Sequence, residues 1–170
     1  LTTIGAAFLL SIVLWDDVRA GGAEVGVNGS LAVDKFALFF KFLILGTLAL
    51  VLLASRDALA RMRYQAEFIG LIMLSATGLM LLAAAADLIT IFVALELASL
   101  PVVALAAFNR GSVRGTEAGF KYLLLSAISS AVLLYGFAFL YGATGTVQVV
   151  ALDPAVPAIA DMVGTLDPEV

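Results

Sequence analysis

The sequence predicts an all-α integral membrane protein, built as a polytopic bundle of transmembrane helices. Hydrophobic residues make up 63% of its 170 residues and charged residues 13%, whereas a soluble domain is usually about 45–50% apolar and about 25% charged. The mean hydropathy is +1.13. The apolar residues form uninterrupted blocks, and blocks of about 18 residues or more are typical of membrane-spanning helices.

Five apolar blocks predict five membrane spans. They cover about residues 1–15, 36–54, 68–86, 88–108 and 117–141. The first block is short for a span, and Leu1 already lies inside it, so we expect the sequence to be an internal fragment of a longer protein. Trp15 ends this block, as expected of a residue favoured at the membrane–water boundary.

The segments between and after the spans are predicted to lie outside the membrane. A Gly-rich loop runs from Asp16 to Asp34, and Asp87 marks a tight turn between the third and fourth spans. Residues 146–170 are predicted to form an extramembrane connector, because they contain three of the four prolines of the chain. A short surface helix is expected near Ala158.

The distribution of arginine predicts the orientation of the spans. The loops 55–67 and 109–116 contain Arg56, Arg61, Arg63, Arg110 and Arg114. Most of the acidic loop residues follow the first and the fifth span instead. Because short cytoplasmic loops carry an excess of Lys and Arg, the two Arg-rich loops are predicted to be cytoplasmic and the acidic segments to face outward.

The composition excludes several kinds of chemistry. The chain has no cysteine and no histidine, which excludes thiolate and histidine ligation of metals, haem or iron–sulfur clusters within these residues. Phosphate-binding loops, nucleophile–base pairs and carboxylates at metal-ligand spacing are absent as well. We therefore predict no catalytic residue, metal site or cofactor site on this chain. The net charge of −4 argues against nucleic acid as a partner.

Glu96 is the first candidate for a functional residue. It lies eight residues into the fourth span, roughly 12 Å along the axis and near the middle of a ~30 Å hydrocarbon core. A charge at the bilayer centre costs about 2.5–3.5 kcal/mol on insertion scales and normally faces protein or a water path. Pro101 removes a backbone hydrogen bond nearby, so we expect a kinked or loosened helix whose free carbonyls, with Ser99, bind water. Glu96 is therefore a candidate proton-path residue, and the alternative is a carboxylate that only fixes helix packing.

Lys121 in the fifth span is the second candidate. Glu117 precedes it by four residues on the same face, which is the favourable order for an ion pair. Because a lysine can release its proton whereas an arginine cannot, Lys121 is predicted to line the cytoplasmic mouth of a path to Glu96. The alternative is a surface ion pair worth about 0.2–0.5 kcal/mol.

Small residues recur along the fifth span, and unlike Glu96 and Lys121 they are not interpreted as functional residues. They include Gly119, Ser126, Ser129 and Ser130. Small side chains let two membrane helices approach closely, so we interpret these positions as packing positions and not as ligands.

Two sequence motifs carry a family resemblance. The fourth span contains E-L-x-S-L-P from Glu96 to Pro101, and the fifth begins with E-A-x-x-K-Y from Glu117 to Tyr122. Two Tyr–Gly pairs follow, at 135–136 and 141–142. In these features the chain resembles the antiporter-like subunit N family of proton-pumping NADH:quinone oxidoreductase, respiratory complex I.

The resemblance implies a fold, a function and partners. The fold would be part of an antiporter-like inverted repeat in the bacterial plasma (inner) membrane, and the chain would contact other membrane-arm subunits of complex I. FMN, iron–sulfur clusters and quinone would be held by partner subunits, where electrons pass from NADH to quinone. Glu96 would modulate a lysine on a helix beyond Val170, and Lys121 would help to load protons from the cytoplasm.

Two other functions stay open. The chain could belong to a multisubunit cation/proton antiporter, which shares the fold and the glutamate motif. It could also be a structural membrane subunit without a proton path, whose charges only fix packing.

Overall fold

The structure, a computed structural model, describes residues 2–21, 24–26, 29–109, 111–150 and 157–162, and helices make up nearly all of them. The helices are α1 (Thr2–Gly21), α2 (Lys35–Ala54), α3 (Arg56–Leu59), α4 (Gln65–Ala84), α5 (Leu88–Ala106), α6 (Val113–Thr144) and α7 (Ile159–Met162). Two short strands, β1 (Glu24–Gly26) and β2 (Leu31–Val33), lie between α1 and α2.

In the part of the chain that the structure describes, four helices are long and apolar enough to cross a membrane, namely α2, α4, α5 and α6. In α1 the apolar part, Ile4–Trp15, is shorter than a span. The helical membrane fold is thus confirmed, and four of the five predicted spans have the required length. The segment between α1 and α2 differs from the predicted loop, since α1 continues to Gly21 and an antiparallel hairpin follows, with Val25 opposite Ala32.

Polar caps determine where the spanning helices begin. Asp34 and Asp87 have extended backbones and accept hydrogen bonds from the backbone N–H groups of Ala37 and Thr90, each at 2.7 Å. A side-chain oxygen at this position satisfies one of the free donors of the first turn. These two aspartates therefore start α2 and α5 within a residue of the predicted positions.

The last long helix, α6, extends beyond the predicted range of 117–141. Ser112 caps it by accepting a hydrogen bond from the Gly115 N–H at 3.3 Å, so the helix begins at Val113. It ends at Thr144, because Gly145 adopts a left-handed conformation with φ of 71°, which is a common way for a helix to stop. At roughly 48 Å, α6 is longer than the ~30 Å hydrocarbon core.

Each long helix packs mainly against its neighbours: α1 against α2, α2 against α4, α4 against α5, and α5 against α6. A buried apolar cluster joins α1, α2 and α4, with Ile4, Leu48 and Ala76 among its members. The closest approach is between α4 and α5, where a Cβ atom at Gly78 would lie 2.4 Å from the backbone nitrogen of Ala98. Only glycine fits there, and the two backbones are in contact.

The polar ends of the bundle differ in their hydrogen bonding. At one end the segments around β2, Asp87 and Gln148 are joined by backbone bonds, including Ala86 N–H to Ser30 O at 2.9 Å and Leu88 N–H to Val147 O at 2.9 Å. The helix α7 lies here too, near Ala158 as expected. Most of the predicted connector, residues 151–156 and 163–170, lies outside the described residues.

Candidate proton-path site

Glu96 lies near the middle of α5. It is eight residues from Leu88 and ten from Ala106, roughly 12 Å and 15 Å along the axis. Its side chain is half-buried. The helix boundaries therefore place Glu96 at the depth that was expected from the sequence. Its carboxyl group is too far from either end of α5 to reach the membrane surface.

The Glu96 side chain contacts α6 through a hydroxyl group. Ser130 Oγ donates a hydrogen bond to Glu96 Oε1. Hydrogen bonds to an ionised group are worth about 1.5–3 kcal/mol, and a carboxyl group in the dry part of a membrane needs such a partner. Ser130 was interpreted from the sequence as a packing residue, so this role was missed.

A second contact shows why these two residues meet. Gly119 of α6 is buried against Ala107, the residue at the end of α5, where an added Cβ atom would lie 2.5 Å from the Ala107 Cβ. Eleven residues separate Glu96 from Ala107, and eleven separate Gly119 from Ser130. The two helices therefore run antiparallel in constant register, and the close contact at Gly119 sets the depth at which Ser130 meets Glu96.

The sequence contains a signal for this face of α6. Gly119, Ser126 and Ser130 recur at spacings of seven and four residues, which places them on one side of a helix. They are buried or half-buried, whereas Ser129 is exposed and its hydroxyl donates to Leu125 O of its own helix at 2.9 Å. The spacing of small residues thus distinguishes the serine that meets Glu96 from the serine beside it.

Hydroxyl groups surround the predicted weak point of α5. The helix continues through Pro101, which cannot donate a backbone hydrogen bond. Ser99 Oγ donates to the backbone carbonyl of Glu96 at 3.3 Å, and Ser75 Oγ of α4 donates to Ala98 O at 2.7 Å. Carbonyl groups near the proline therefore accept side-chain hydrogen bonds, and Ser99 bonds to the backbone of Glu96 and not to its carboxyl group.

Lys121 lies apart from Glu96. It forms an ion pair with Glu117 at 2.5 Å, and the two side chains are 69% and 57% exposed in this chain. Lys121 precedes Ser130 by nine residues, about two and a half helical turns and roughly 13 Å, so it lies on the opposite face of α6. It is two residues from Gly119, which marks the level of the end of α5. The structure thus brings together Glu96, Ser130, Ser99 and Pro101, but not Lys121.

The fold and the site define a class of protein. The chain is a bundle of membrane helices, with a proline-containing helix whose central carboxyl group meets a serine of the next helix. Residues 85–166 match the family described as NADH:quinone oxidoreductase/Mrp antiporter, transmembrane. This range contains every residue of the candidate site except Ser75.

Relatives of known name narrow the class. The chain is 46% identical over 150 residues to NADH-quinone oxidoreductase subunit N of Methylobacterium nodulans, covering 86% of this chain and 31% of the relative. It is 41% identical over 151 residues to the protein of the same name from Desulfitobacterium hafniense, covering 88% of this chain and 30% of that relative. Over 86–88% of its length the chain is thus similar to NADH-quinone oxidoreductase subunit N, and it spans about a third of the length of these relatives.

Two solved structures share the fold. A chain of respiratory complex I from Thermus thermophilus, solved with bound aureothin, has 35% identity and a TM-score of 0.64, over 95% of this chain and 37% of that chain. A chain of the membrane-bound sulfane sulfur reductase, an archaeal respiratory membrane complex, has a TM-score of 0.67 over 86% of this chain and 31% of that chain. At 24% identity the second likeness shows the fold alone.

Proposed function

We propose that this chain is part of a proton-translocating membrane-arm subunit of NADH:quinone oxidoreductase. Electron transfer from NADH to quinone would take place on partner subunits that hold FMN and iron–sulfur clusters, and this chain would carry no redox chemistry. The observation that carries the proposal is the contact of Glu96 with Ser130 in the middle of the membrane-spanning pair α5 and α6. The names of the relatives support the choice of enzyme.

The proposed role of Glu96 follows from its surroundings. A carboxyl group can hold or release a proton, and its balance between the two states responds strongly to nearby charge where the dielectric constant is low. Ser130 offers a hydrogen bond to the charged form, and its hydroxyl group can turn when the carboxyl group changes state. Glu96 would thus transmit a charge shift arriving from partner subunits to a cation on a further helix.

Lys121 has a more peripheral place in this proposal. It lies near the level at which α5 ends, on the face of α6 turned away from Glu96, and it is already paired with Glu117. We propose that the pair accepts protons at the membrane boundary and passes them to groups outside this chain. Direct transfer from Lys121 to Glu96 is not part of the proposal, since roughly 13 Å of helix separates them.

The orientation and location complete the proposal. The described arginine side chains that flank the spans, Arg56, Arg61, Arg63 and Arg114, all lie at the α2–α4 and α5–α6 ends of the bundle. By the positive-inside rule this end would face the cytoplasm of a bacterial plasma membrane. Arg110 belongs to the same loop but lies outside the described residues.

The test measures protons pumped per NADH oxidised by the full-length protein in its complex. Glu96→Gln keeps the size and the oxygen acceptor for Ser130 but cannot carry a proton. Because a positioned proton carrier typically contributes about 10²–10⁴-fold to a proton-transfer step, pumping through this subunit should be lost while assembly persists. Lys121→Ala should lower the ratio as well. Glu67→Gln, an exposed carboxylate at the start of α4, is the control and should pump normally.

Two outcomes would contradict the proposal. Normal pumping by a fully assembled Glu96→Ala/Lys121→Ala double variant would remove both residues from the path. Normal pumping by Glu96→Gln with a lower melting temperature would instead support the purely structural subunit.

A further inference from the structure

A cavity with a basic rim lies between the start of α4 and the end of α5. Its volume is about 680 Å³, and its lining includes Arg63, Phe68, Leu105, Phe108 and Asn109. The rings of Phe68 and Phe108 meet edge to face, with centroids 5.1 Å apart. The cavity is therefore aromatic on the membrane side and polar at the helix ends, which is the usual division at a membrane–water boundary.

Arg63 gives this cavity an uncompensated positive charge. Its guanidinium group lies over the ring of Tyr64, 5.5 Å from the centroid. Among the described residues no carboxylate lies within ion-pair distance of it. The cavity also lies at the N-terminus of α4. Guanidinium groups bind phosphate through paired hydrogen bonds, so the rim fits a phosphate group.

A second, apolar groove adjoins this cavity on the membrane side. It has a volume of about 400 Å³ and lies between α2, α4 and α5, and Leu105 lines both spaces. Among its described lining residues, only Thr47 and Ser75 carry hydroxyl groups, and these already donate to the backbone carbonyls of Leu43 and Ala98. The groove thus offers no free hydrogen-bonding side chain and fits a hydrocarbon chain.

The length of the combined site matches one leaflet of a bilayer. Phe68 marks its boundary end, and Leu79 lines the deep end of the groove. These residues are eleven apart on α4, roughly 16 Å along the axis, and one leaflet of a ~30 Å hydrocarbon core is roughly 15 Å thick. A charged head at one end and a chain-length apolar groove behind it are together the shape of a phospholipid.

We infer that this site binds an anionic phospholipid, with its phosphate at Arg63 and one acyl chain in the groove between α2, α4 and α5. The inference concerns lipid binding and does not depend on proton transport. Charge complementarity selects the anionic head, since basic pockets at the cytoplasmic side of membrane helices attract anionic lipids. Leu105 borders both parts of the proposed site, so the two spaces lie next to each other.

The test uses the full-length protein in its complex, reconstituted into phosphatidylcholine vesicles that contain a trace of phosphatidylglycerol with a photoreactive acyl chain. Phosphatidylcholine with the same photoreactive chain is the comparison. Crosslinked peptides are identified by mass spectrometry. We expect phosphatidylglycerol to label peptides 43–51 and 72–79 about fivefold more than phosphatidylcholine does, because an arginine near the surface contributes roughly 1 kcal/mol for an anionic lipid.

Three variants make the test specific. Arg63→Gln should reduce labelling by phosphatidylglycerol to the phosphatidylcholine level, and Arg63→Lys, which keeps the charge, should retain most of the preference. Arg114→Gln removes an exposed arginine at the same end but outside the cavity, so it should leave the preference unchanged. The exposed face of α6 around Leu125 should label equally with both lipids.

Each of the following outcomes would overturn the inference. Equal labelling of the groove by both lipids would show that the charge selects nothing. Equal effects of Arg63→Gln and Arg114→Gln would assign any preference to the general surface charge. Absence of labelling in the groove would show that protein covers it. Loss of the preference on adding excess inorganic phosphate would show that the rim binds the free ion and not the lipid.

Discussion

Glu96 and Ser130 form a half-buried pair whose two members lie on different helices, 34 residues apart in the chain. In the proposed proton path the carboxyl group would supply the proton chemistry, and the hydroxyl group holds one of its oxygens in place. Ser130 is thus a positioning residue in the proposed proton path, and its effect should pass through Glu96. Its neighbour Ser129, which bonds only within α6, provides a matched control.

Ser130→Ala should lower the number of protons pumped per NADH oxidised, because Glu96 loses a hydrogen bond worth about 1.5–3 kcal/mol to an ionised group. Ser130→Thr retains a hydroxyl group and should restore much of the ratio, and Ser129→Ala should have no effect. In a double-mutant cycle, Ser130→Ala should add nothing to Glu96→Gln, since both act on one group. Additive losses would show that Ser130 acts elsewhere.

At the scale of single residues, the sequence predicted the depth of Glu96 but not its partner. The depth depends only on the helix boundaries and the rise per residue. The partner depends on the register of α5 against α6, which the contact of Gly119 with Ala107 sets. The exposure of Lys121 follows from the same register. Neither the partner of Glu96 nor the exposure of Lys121 could be calculated without knowing which small residues are in contact.

At the scale of the helices, the polar caps explain where the sequence-based boundaries were accurate. Asp34 and Asp87 stand alone before long apolar runs, so the starts of α2 and α5 were easily located. Ser112 follows Gly111 and is followed three residues later by Gly115; because glycine disfavours a helix, the first turn of α6 was missed. The β1–β2 hairpin was missed for a similar reason, since its strands are only three residues long and flanked by glycine.

The close contact between α4 and α5 requires a residue without a side chain at Gly78, and this requirement can be tested. In Gly78→Ala the added Cβ atom would lie 2.4 Å from the backbone nitrogen of Ala98 and 2.7 Å from the carbonyl carbon of Leu97. Backbone cannot rotate away as a side chain can, so the helices must separate, at a cost of about 1–3 kcal/mol. We expect a lower melting temperature and less assembled complex.

Gly70→Ala is the matched control for this change. Gly70 lies on the same helix, is exposed, and an added Cβ atom there would have no neighbour within 4 Å. Alanine also favours helix by about 1 kcal/mol over glycine in water, so this variant should be as stable as the wild type or more so. Equal melting temperatures of the two variants would contradict the tight contact at Gly78.

At the scale of the whole molecule, the two ends of the bundle are built differently. One end is joined by backbone hydrogen bonds between the hairpin region, the α4–α5 turn and the segment after α6, with the buried Asp87 at its centre. The other end carries exposed arginines and the cavity at Arg63. The arginine-rich end is the one that the positive-inside rule orients.

This difference gives a prediction about the orientation of the whole chain in the membrane. The 170 residues contain no cysteine, so a single cysteine in this region reports one position. Ala60→Cys lies in the exposed turn after α3, at the arginine-rich end, and Val150→Cys lies at the opposite end with 49% of the native side chain exposed. In intact cells a membrane-impermeant maleimide should label Val150→Cys at once and Ala60→Cys only after the membrane is permeabilised. The opposite order of labelling would invert the orientation, and it would place the proposed proton entry at Lys121 and the lipid site at Arg63 on the outer side of the membrane.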